Sequence, residues 1–292
     1  MSALIETTGL SKSFTKLSAV DQVSLAIEGP GIYGLLGRNG AGKSTLMNLM
    51  AGHEIPTSGQ TTLLGQNPVT SSSALADMIF IKESQVYPEN FKVSHAIKMA
   101  AALYENFDSE FAAELVAKFK LPTKRLIRKL SRGQFSAVGV VIGLASRASI
   151  TFLDEPYLGM DAAARAEFYD VLLADYAEHP RLIVLSTHLI DEVADLLEHV
   201  FVIDDGKIIL DSNTDDLKGQ AMSIEGDTEK AEAFALGKEV LDRKSIASMS
   251  RISLMSNPQL FAEAESLGLN PQPLSLQQLI IASTGTKELE NA

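Results

Sequence analysis

The sequence predicts an α/β fold: a core of apolar strands alternating with helices, preceded by an antiparallel β element, interrupted by a helical block and followed by a small α+β appendage. Three observations carry this expectation. The run Gly37-Arg38-Asn39-Gly40-Ala41-Gly42-Lys43-Ser44-Thr45 fits the phosphate-cradling pattern GxxxxGK[ST]. It stands between a short apolar strand, Gly31 to Leu36, and a run of helical spacing, Ser44 to Ala51, that Gly52 stops. Further apolar strands at Asp77 to Ile81, Ser149 to Asp154 and Leu182 to Thr187 are separated by helical patterns.

Taken in order, Leu4-Ile5-Glu6-Thr7 and Val23-Ser24-Leu25-Ala26-Ile27 are β-type runs, and Gly29-Pro30-Gly31 separates them from the phosphate strand. Phe14 falls in the loop between the two runs. It either stacks on a base, a contact of about 1–3 kcal/mol by analogy with nucleic-acid platforms, or packs at the loop base. In the glycine-rich loop the backbone can curl round a phosphate without Cβ clashes, and the exposed N–H groups and helix dipole favour its negative charge. Lys43 is placed to reach the β- and γ-phosphates, and the Ser44 hydroxyl to hold Mg²⁺.

After a strand at Thr61 to Gly65, residues 83 to 147 turn helical, most clearly at Val93 to Leu103 and Phe111 to Ala117. Ser131 and Gln134 fit a capping box, so Ser131 stands at a helix N-terminus, either as a plain cap or as an anion-attracting end, ahead of the apolar run Ala137 to Ala145. The strand Ser149 to Asp154 ends in two adjacent acids. Asp154 is placed to hold Mg²⁺ directly or through water, and Glu155 to polarise water toward a γ-phosphate. Asp161 opens the next helix, and the strand Leu182 to Thr187 runs into His188. His53, His95, His179 and His199 are read as structural. His188 differs because it ends a strand parallel to those carrying Lys43 and Asp154, where open α/β sheets bind ligands.

Composition narrows the function classes. A chain of 292 residues with 46% hydrophobic content can bury one large core, or a large and a small one. Cysteine is absent, which excludes disulfides and thiolate metal sites and agrees with a reducing cytosol. No apolar run approaches the roughly 18 residues of a membrane span, and no basic-then-apolar leader opens the chain, so work at a membrane would need a tethering partner. The net charge of −12 argues against non-specific nucleic-acid binding. Lys118, Lys120, Lys124, Arg125, Arg128, Lys129 and Arg132 form one local exception, either a solvated surface or a face toward another subunit or an anionic ligand.

With these pieces in place, residues 4 to 217 resemble the nucleotide-binding subunit of an ATP-binding-cassette (ABC) transporter, with a P-loop NTPase (RecA-like) core. Gly37, Arg38, Asn39, Gly40, Ala41, Gly42, Lys43, Ser44 and Thr45 match the Walker A loop. Leu130-Ser131-Arg132-Gly133-Gln134 matches the cassette signature, with Arg132 where a glycine is usual. Phe152 to Glu155 matches Walker B with its catalytic glutamate, Gly159-Met160-Asp161 the D-loop, His188 the switch histidine and Phe14 the adenine-stacking aromatic. The family's glutamine, which touches Mg²⁺ and the attacking water, is displaced: counting back from Val93 puts Glu83 at its position, with Gln85 two residues on, so either residue takes that role.

The resemblance implies an ATP hydrolase using ATP and Mg²⁺, working as a head-to-tail dimer in which Ser131, Gly133 and Gln134 of one copy meet the γ-phosphate held by the other. It implies a separate membrane permease, engaged near Ser84 to Phe91, where Tyr87, Pro88 and Phe91 are partner-facing or locally packed. Export in a bacterium, from the inner face of the plasma membrane, and no nucleic-acid partner follow. A soluble non-transport cassette acting on a macromolecule is the alternative, and it would need a coiled-coil insertion or a second cassette. The expected domains are an ATPase at 1–217, with the helical insertion at about 84–147, and an accessory domain at 218–292 like the C-terminal extensions of cassettes paired with small exporters.

Overall fold

Residues 3–15, 17–217 and 219–285 are described by the computed structural model. The chain divides into two units, one of Met1–His188 with Leu196–Asp211, the other of Leu189–Asp195 with Ser212–Ala292.

In the first unit, strands β1 (Ile5–Phe14), β2 (Leu17–Ile27) and β4 (Ser58–Leu63) form an antiparallel sheet in the order β2-β1-β4. Alternation sets its inner face. Ile5, Thr7 and Leu10 of β1 are buried, as are Val23, Leu25 and Ile27 of β2, while their neighbours face outward. Phe14 is therefore the last residue of a strand, paired with Leu17, rather than part of a long loop. Register shifts between Thr7 and Leu10, Leu10 and Lys12, and Lys12 and Ser13 interrupt the β1–β2 ladder.

The second sheet has six strands in the order β5-β6-β7-β3-β8-β9. They are β3 (Gly31–Leu36), β5 (Met78–Lys82), β6 (Ile150–Asp154), β7 (Leu182–Thr187), β8 (His199–Asp204) and β9 (Lys207–Asn213). β3 runs parallel to β7 and β8, and β6 runs parallel to β5 and β7. Every residue of β6 and β7 is buried, as expected for parallel strands covered on both faces. This topology brings the carboxyl ends of β3, β6 and β7 to one edge.

Helix α1 (Lys43–Met50) packs Leu46, Met47, Leu49 and Met50 into a core shared with Ile5, Leu63, Phe152 and Phe201, each such side chain contributing about 1.5–3 kcal/mol. After α2 (Ser72–Ala76), the inserted block holds α3 (Val93–Leu103), α4 (Ser109–Lys118), a 3₁₀ turn at Ile127–Lys129 and α5 (Arg132–Ala145). α5 begins directly at Arg132, so the expected cap and the apolar run belong to one helix, buried continuously from Ala137 to Ala145. α6 (Ala162–Glu178) is capped by Asp161, whose side chain accepts from Ala164 N–H at 2.8 Å. At the end of the sheet remote from the phosphate loop, Asp175 of α6 receives Arg147 and Arg181, the latter at 2.7 Å, and Arg147 also reaches Asp108 at 3.0 Å.

In the second unit, the short α7 (Ile190–Val193) and α8 (Thr214–Leu217) accompany a βαββαβ arrangement. Its elements are β10 (Ala221–Asp227), α9 (Thr228–Ala235), β11 (Val240–Ile246), β12 (Met249–Met255), α10 (Pro258–Ser266) and β13 (Asn270–Pro273), followed by α11 (Leu276–Gly285). The sheet order β11-β12-β10-β13 is that of a split βαβ fold, with Met222, Ile224, Ile252 and Leu254 packed against Ala231, Phe234 and Ala264. β12 is the second arm of a hairpin whose first arm, β11, is polar. Lys218 and 286–292 of the expected appendage lie outside the described residues.

Candidate functional site

The phosphate loop is shaped by carbonyls turned inward. Gly42, the cap of α1, has φ 111°, and a Cβ there would stand 2.3 Å from the Ala19 carbonyl oxygen. At Gly37 a Cβ would meet the Ile203 carbonyl at the same distance. Neither position can carry a side chain without backbone movement. Ala41 O accepts from Gly206 N–H at 2.9 Å, which ties the loop to the turn after β8.

Lys43 is buried inside this loop. Its Nζ donates to Gly37 O at 2.8 Å and Arg38 O at 3.2 Å and lies 3.7 Å from Glu155 Oε1. Burial pushes the ammonium below its ordinary pKa, and the nearby Glu155 and Asp154 oppose that shift. A phosphate with several oxygens is a better partner for such an ammonium than two neutral carbonyls.

A cleft of about 500 Å³ opens here, within the size range of small-molecule sites. Phe14, Asn39, Gly40, Gly42, Lys43, Ser44, Thr45, Glu83, Glu155 and His188 all line it. Parallel register explains the gathering: Leu36 sits opposite Thr187, Asp154 opposite Ser186 and Lys82 opposite Asp154, so the residues following each strand emerge side by side. Phe14 is 45% exposed at the cleft mouth, with Lys12 Nζ 5.1 Å from its ring centroid. A face left this open is available for stacking, unlike a packed core phenylalanine.

Asp154 is buried behind the cleft, where its Oδ1 accepts from Ser186 Oγ at 2.5 Å. Glu155 follows with φ 48° and receives His188 Nδ1 at 2.8 and 3.0 Å on its two oxygens. Ser186, Thr187 and Tyr157 were not singled out in the sequence. Their signal lies in strand pairing, which sets β7 beside β6.

Glu83 and Gln85 part company. Glu83 lines the cleft, and its Oε1 accepts from Arg132 Nη2 at 3.0 Å. Gln85 is turned away: its Oε1 accepts from Lys82 N–H at 3.2 Å, and it lines a separate cavity of about 390 Å³. Gln85 is thus not among the residues that line the cleft: its amide is bonded at Lys82 and borders the other cavity. That second cavity is apolar, with Val86, Tyr87, Pro88, Phe91, Met99 and Ile142 among its walls. Burial pushes the Tyr87 hydroxyl up to about 12.

Ser131, Gly133 and Gln134 are absent from the residues lining the nucleotide-sized cleft. The capping box is formed: Ser131 Oγ accepts from Gln134 N–H at 3.2 Å, and Gln134 Oε1 accepts from Ser131 N–H at 3.3 Å. Ser131 is exposed, so this helix end faces outward from its own chain.

The donors present fit Mg²⁺. Ser44 offers a hydroxyl and Asp154 and Glu83 carboxylates, all hard oxygens, while no cluster of three or more acidic, His or Cys ligands exists among the described residues. Mg²⁺ bound through one or two carboxylates together with substrate phosphates matches such a set.

Residues 20–158 match the ABC transporter family model. The chain is 24% identical over 289 residues to the ABC transporter ATP-binding protein YtrB of Bacillus subtilis, covering 97% of this chain and 99% of that protein. It is 29% identical to the bacitracin transport ATP-binding protein BcrA of Bacillus licheniformis, over 75% of this chain and 72% of the relative. A dimeric bacterial ABC transporter cassette superposes with a TM-score of 0.64 at 20% identity, covering 72% of this chain and 98% of that one. With a formed Walker A loop and the acidic strand end beside it, the chain belongs to the ABC transporter family as its ATP-binding subunit, an ATPase.

Proposed function

We propose that the chain powers a separate membrane permease, in the direction of export, by closing as a twofold dimer around two ATP molecules. The observation that carries this reading is the division of the site. Lys43, Ser44, Glu83, Glu155 and His188 share one cleft, whereas the Ser131 helix end faces outward. A second copy related by a twofold axis would bring that end to the exposed γ-phosphate.

In this reading Phe14 stacks on the base, and residues 37–45 wrap the phosphates. Lys43 exchanges its loop carbonyls for phosphate oxygens, and Ser131, Gly133 and Gln134 of the second copy donate to the γ-phosphate. Ser44 and Asp154, with Glu83 in the glutamine's place, would hold Mg²⁺, which neutralises charge on the β- and γ-phosphates. Glu155 polarises the water, and His188, bonded to it through Nδ1, orients the carboxylate and presents its other nitrogen to the phosphate. Loss of the γ-phosphate removes the contact between copies and lets them separate.

The cavity walled by Tyr87, Phe91 and Met99 suits a short apolar helix of the permease, with Val86 88% exposed at its rim. Among the described residues no helix is long and apolar enough to cross a membrane, so that partner would place the chain on the inner face of the plasma membrane. The relative's role in bacitracin transport supports export.

The test is Glu155→Gln, which keeps the shape and removes the base. With ATP saturating, this variant should elute as a stable dimer and hydrolyse ATP at a small fraction of the parent rate. A variant that stays monomeric overturns the dimer reading. Affinity purification from membranes should recover one permease in fixed ratio, and Met99→Glu in the apolar cavity should abolish that recovery while leaving basal ATPase unchanged. Recovery of a soluble macromolecule in its place would overturn the transport reading.

A further inference from the structure

Directly after the two acids and Pro156 stands Tyr157, a side chain 2% exposed. Its ring fills a pocket beside Tyr169 and His188, both with centroids 6.2 Å away. A phenylalanine would satisfy that packing. The hydroxyl, however, lies 2.5 Å from Glu155 Oε2 and 2.5 Å from Thr187 Oγ1. An ionised carboxylate only accepts, so the phenol must donate to Glu155, and Thr187 donates to the phenol oxygen. Burial and the neighbouring carboxylate both push the phenol pKa up, which keeps the proton on the donor.

We infer that Tyr157 is a positioning residue for hydrolysis: its hydroxyl, anchored by Thr187, fixes the direction in which the Glu155 carboxylate faces its water. The inference rests on the reading of Glu155 as the water-polarising group. Three facts favour it. Glu155 occupies φ 48°, a left-handed conformation that costs a non-glycine residue energy and persists only where its surroundings hold it. The Tyr157 bond is charge-assisted and buried, the kind that fixes geometry most firmly. Thr187 immediately precedes His188, which donates to both oxygens of the same carboxylate, at 2.8 Å to Oε2 and 3.0 Å to Oε1. The phenol and the imidazole thus grip one carboxylate from the segments that follow two adjoining strands, β6 and β7, and a change in their spacing turns the carboxylate.

The experiment compares Tyr157→Phe, Thr187→Val and Thr187→Ser in the full chain, with and without Glu155→Gln. Loss of one hydrogen bond to a charged group should lower kcat about ten- to a hundredfold in Tyr157→Phe, with the KM for ATP within about twofold. Thr187→Val, which removes the anchor and keeps the donor, should lose about three- to tenfold, and Thr187→Ser, which restores the hydroxyl, should return to the parent value. In the Glu155→Gln background, Tyr157→Phe should lower the residual rate no further, because the two act as one unit.

A Tyr157→Phe enzyme with parent kcat overturns the inference. So does an equal proportional loss in both Glu155 backgrounds, or failure of Thr187→Ser to recover what Thr187→Val loses. Should Tyr157→Phe not fold, the Thr187 pair decides alone. Parent turnover in Glu155→Gln by itself would instead overturn the assignment of Glu155, whereas loss there with parent turnover in Tyr157→Phe overturns only the role of the tyrosine.

Discussion

Gly42→Ala isolates what the phosphate loop owes to its backbone. The residue sits at φ 111° and ψ 1°, and its added Cβ would lie 2.3 Å from Ala19 O and 3.2 Å from Ile203 Cδ1. The conformation alone costs a residue with a side chain about 1–3 kcal/mol, and the contact with a backbone oxygen is about 1 Å too short. Two outlets exist. Ala19 lies on β2, the outer strand of the antiparallel sheet, at a register shift between the Lys12–Val20 and Ser13–Ser18 pairs, and its carbonyl can yield only by disturbing those pairs. Otherwise the loop moves by about 1 Å, a displacement that can cost a hundredfold in positioned chemistry. Because Ala41 O is already bonded to Gly206 N–H and Gly42 O to Leu46 N–H, the loop cannot shift without breaking further bonds. The expected result is a fall in ATP affinity of about a hundredfold, measured with a fluorescent ATP analogue, together with a thermal midpoint lowered by a few degrees. Binding within about threefold of the parent at an unchanged midpoint, a difference under 1 kcal/mol, would refute the argument that this geometry is the one that receives phosphate.

Three further outcomes follow from charged groups. Asp175→Asn leaves Arg147 and Arg181 without their shared carboxylate in a buried setting, and should lower unfolding free energy in urea by about 3–5 kcal/mol with little change in the KM for ATP. Asp108 is held below its ordinary pKa of 3.8 first by its cap bond to Phe111 N–H and then by Arg147, against the effect of burial. Its stabilisation is full above that value and is lost as pH falls through the lower folded pKa. Asp108→Ala should therefore cost about 1 kcal/mol near neutrality, with the gap from the parent closing in acid, as read from denaturant midpoints at stepped pH. Glu83→Gln replaces a carboxylate of the cleft by an amide, leaves Arg132 a neutral acceptor in place of an ion-pair partner, and, if Glu83 holds the metal as proposed above, should raise the Mg²⁺ concentration for half-maximal ATPase. An unchanged metal titration would place Glu83 outside the metal's reach.

The phosphate loop, the Ser131 capping box and the acidic strand end were legible because each is written in neighbouring residues. The inserted helices and the parallel strands were legible from periodicity. What escaped depends on pairing across the chain. β11 reads Asp242-Arg243-Lys244-Ser245 because it is an outer strand with both faces largely exposed, and β13 contains two prolines, tolerated because it too is an edge. Which of Glu83 and Gln85 borders the cleft depends on how the backbone leaves β5, where Gln85 Oε1 accepts from Lys82 N–H. Tyr157 and Ser186 carry no motif; only the register of β6 against β7 sets Ser186 on Asp154 and Thr187 near Tyr157.

Charge in the cleft bears on how the site is completed. The lining residues include one lysine against two glutamates, and Asp154 lies close enough to act on that lysine. Lys82, in register with Asp154, spends its Nζ on Asn48 Oδ1 at 2.5 Å. A triphosphate entering this setting adds negative charge to an excess of it, and the chain as a whole carries −12. The N-terminal dipole of α1 offsets only about half an elementary charge. Favourable binding therefore needs positive charge that the cleft does not own. A divalent cation on Ser44 and Asp154, as proposed above, would supply part of it. The α5 N-terminus, exposed at Ser131 and carrying the three-quarters exposed Arg132, supplies more if a second copy presents it. The Arg132–Glu83 pair, solvent-accessible on both sides, is worth under about 1 kcal/mol and so does not oppose that rearrangement. On this balance ATP affinity in the isolated chain should fall steeply when Mg²⁺ is chelated, and Arg132→Glu should weaken ATP-driven association of Glu155→Gln copies far more than it weakens ATP binding to a single copy. Equal effects on both would mean that Arg132 acts within its own chain.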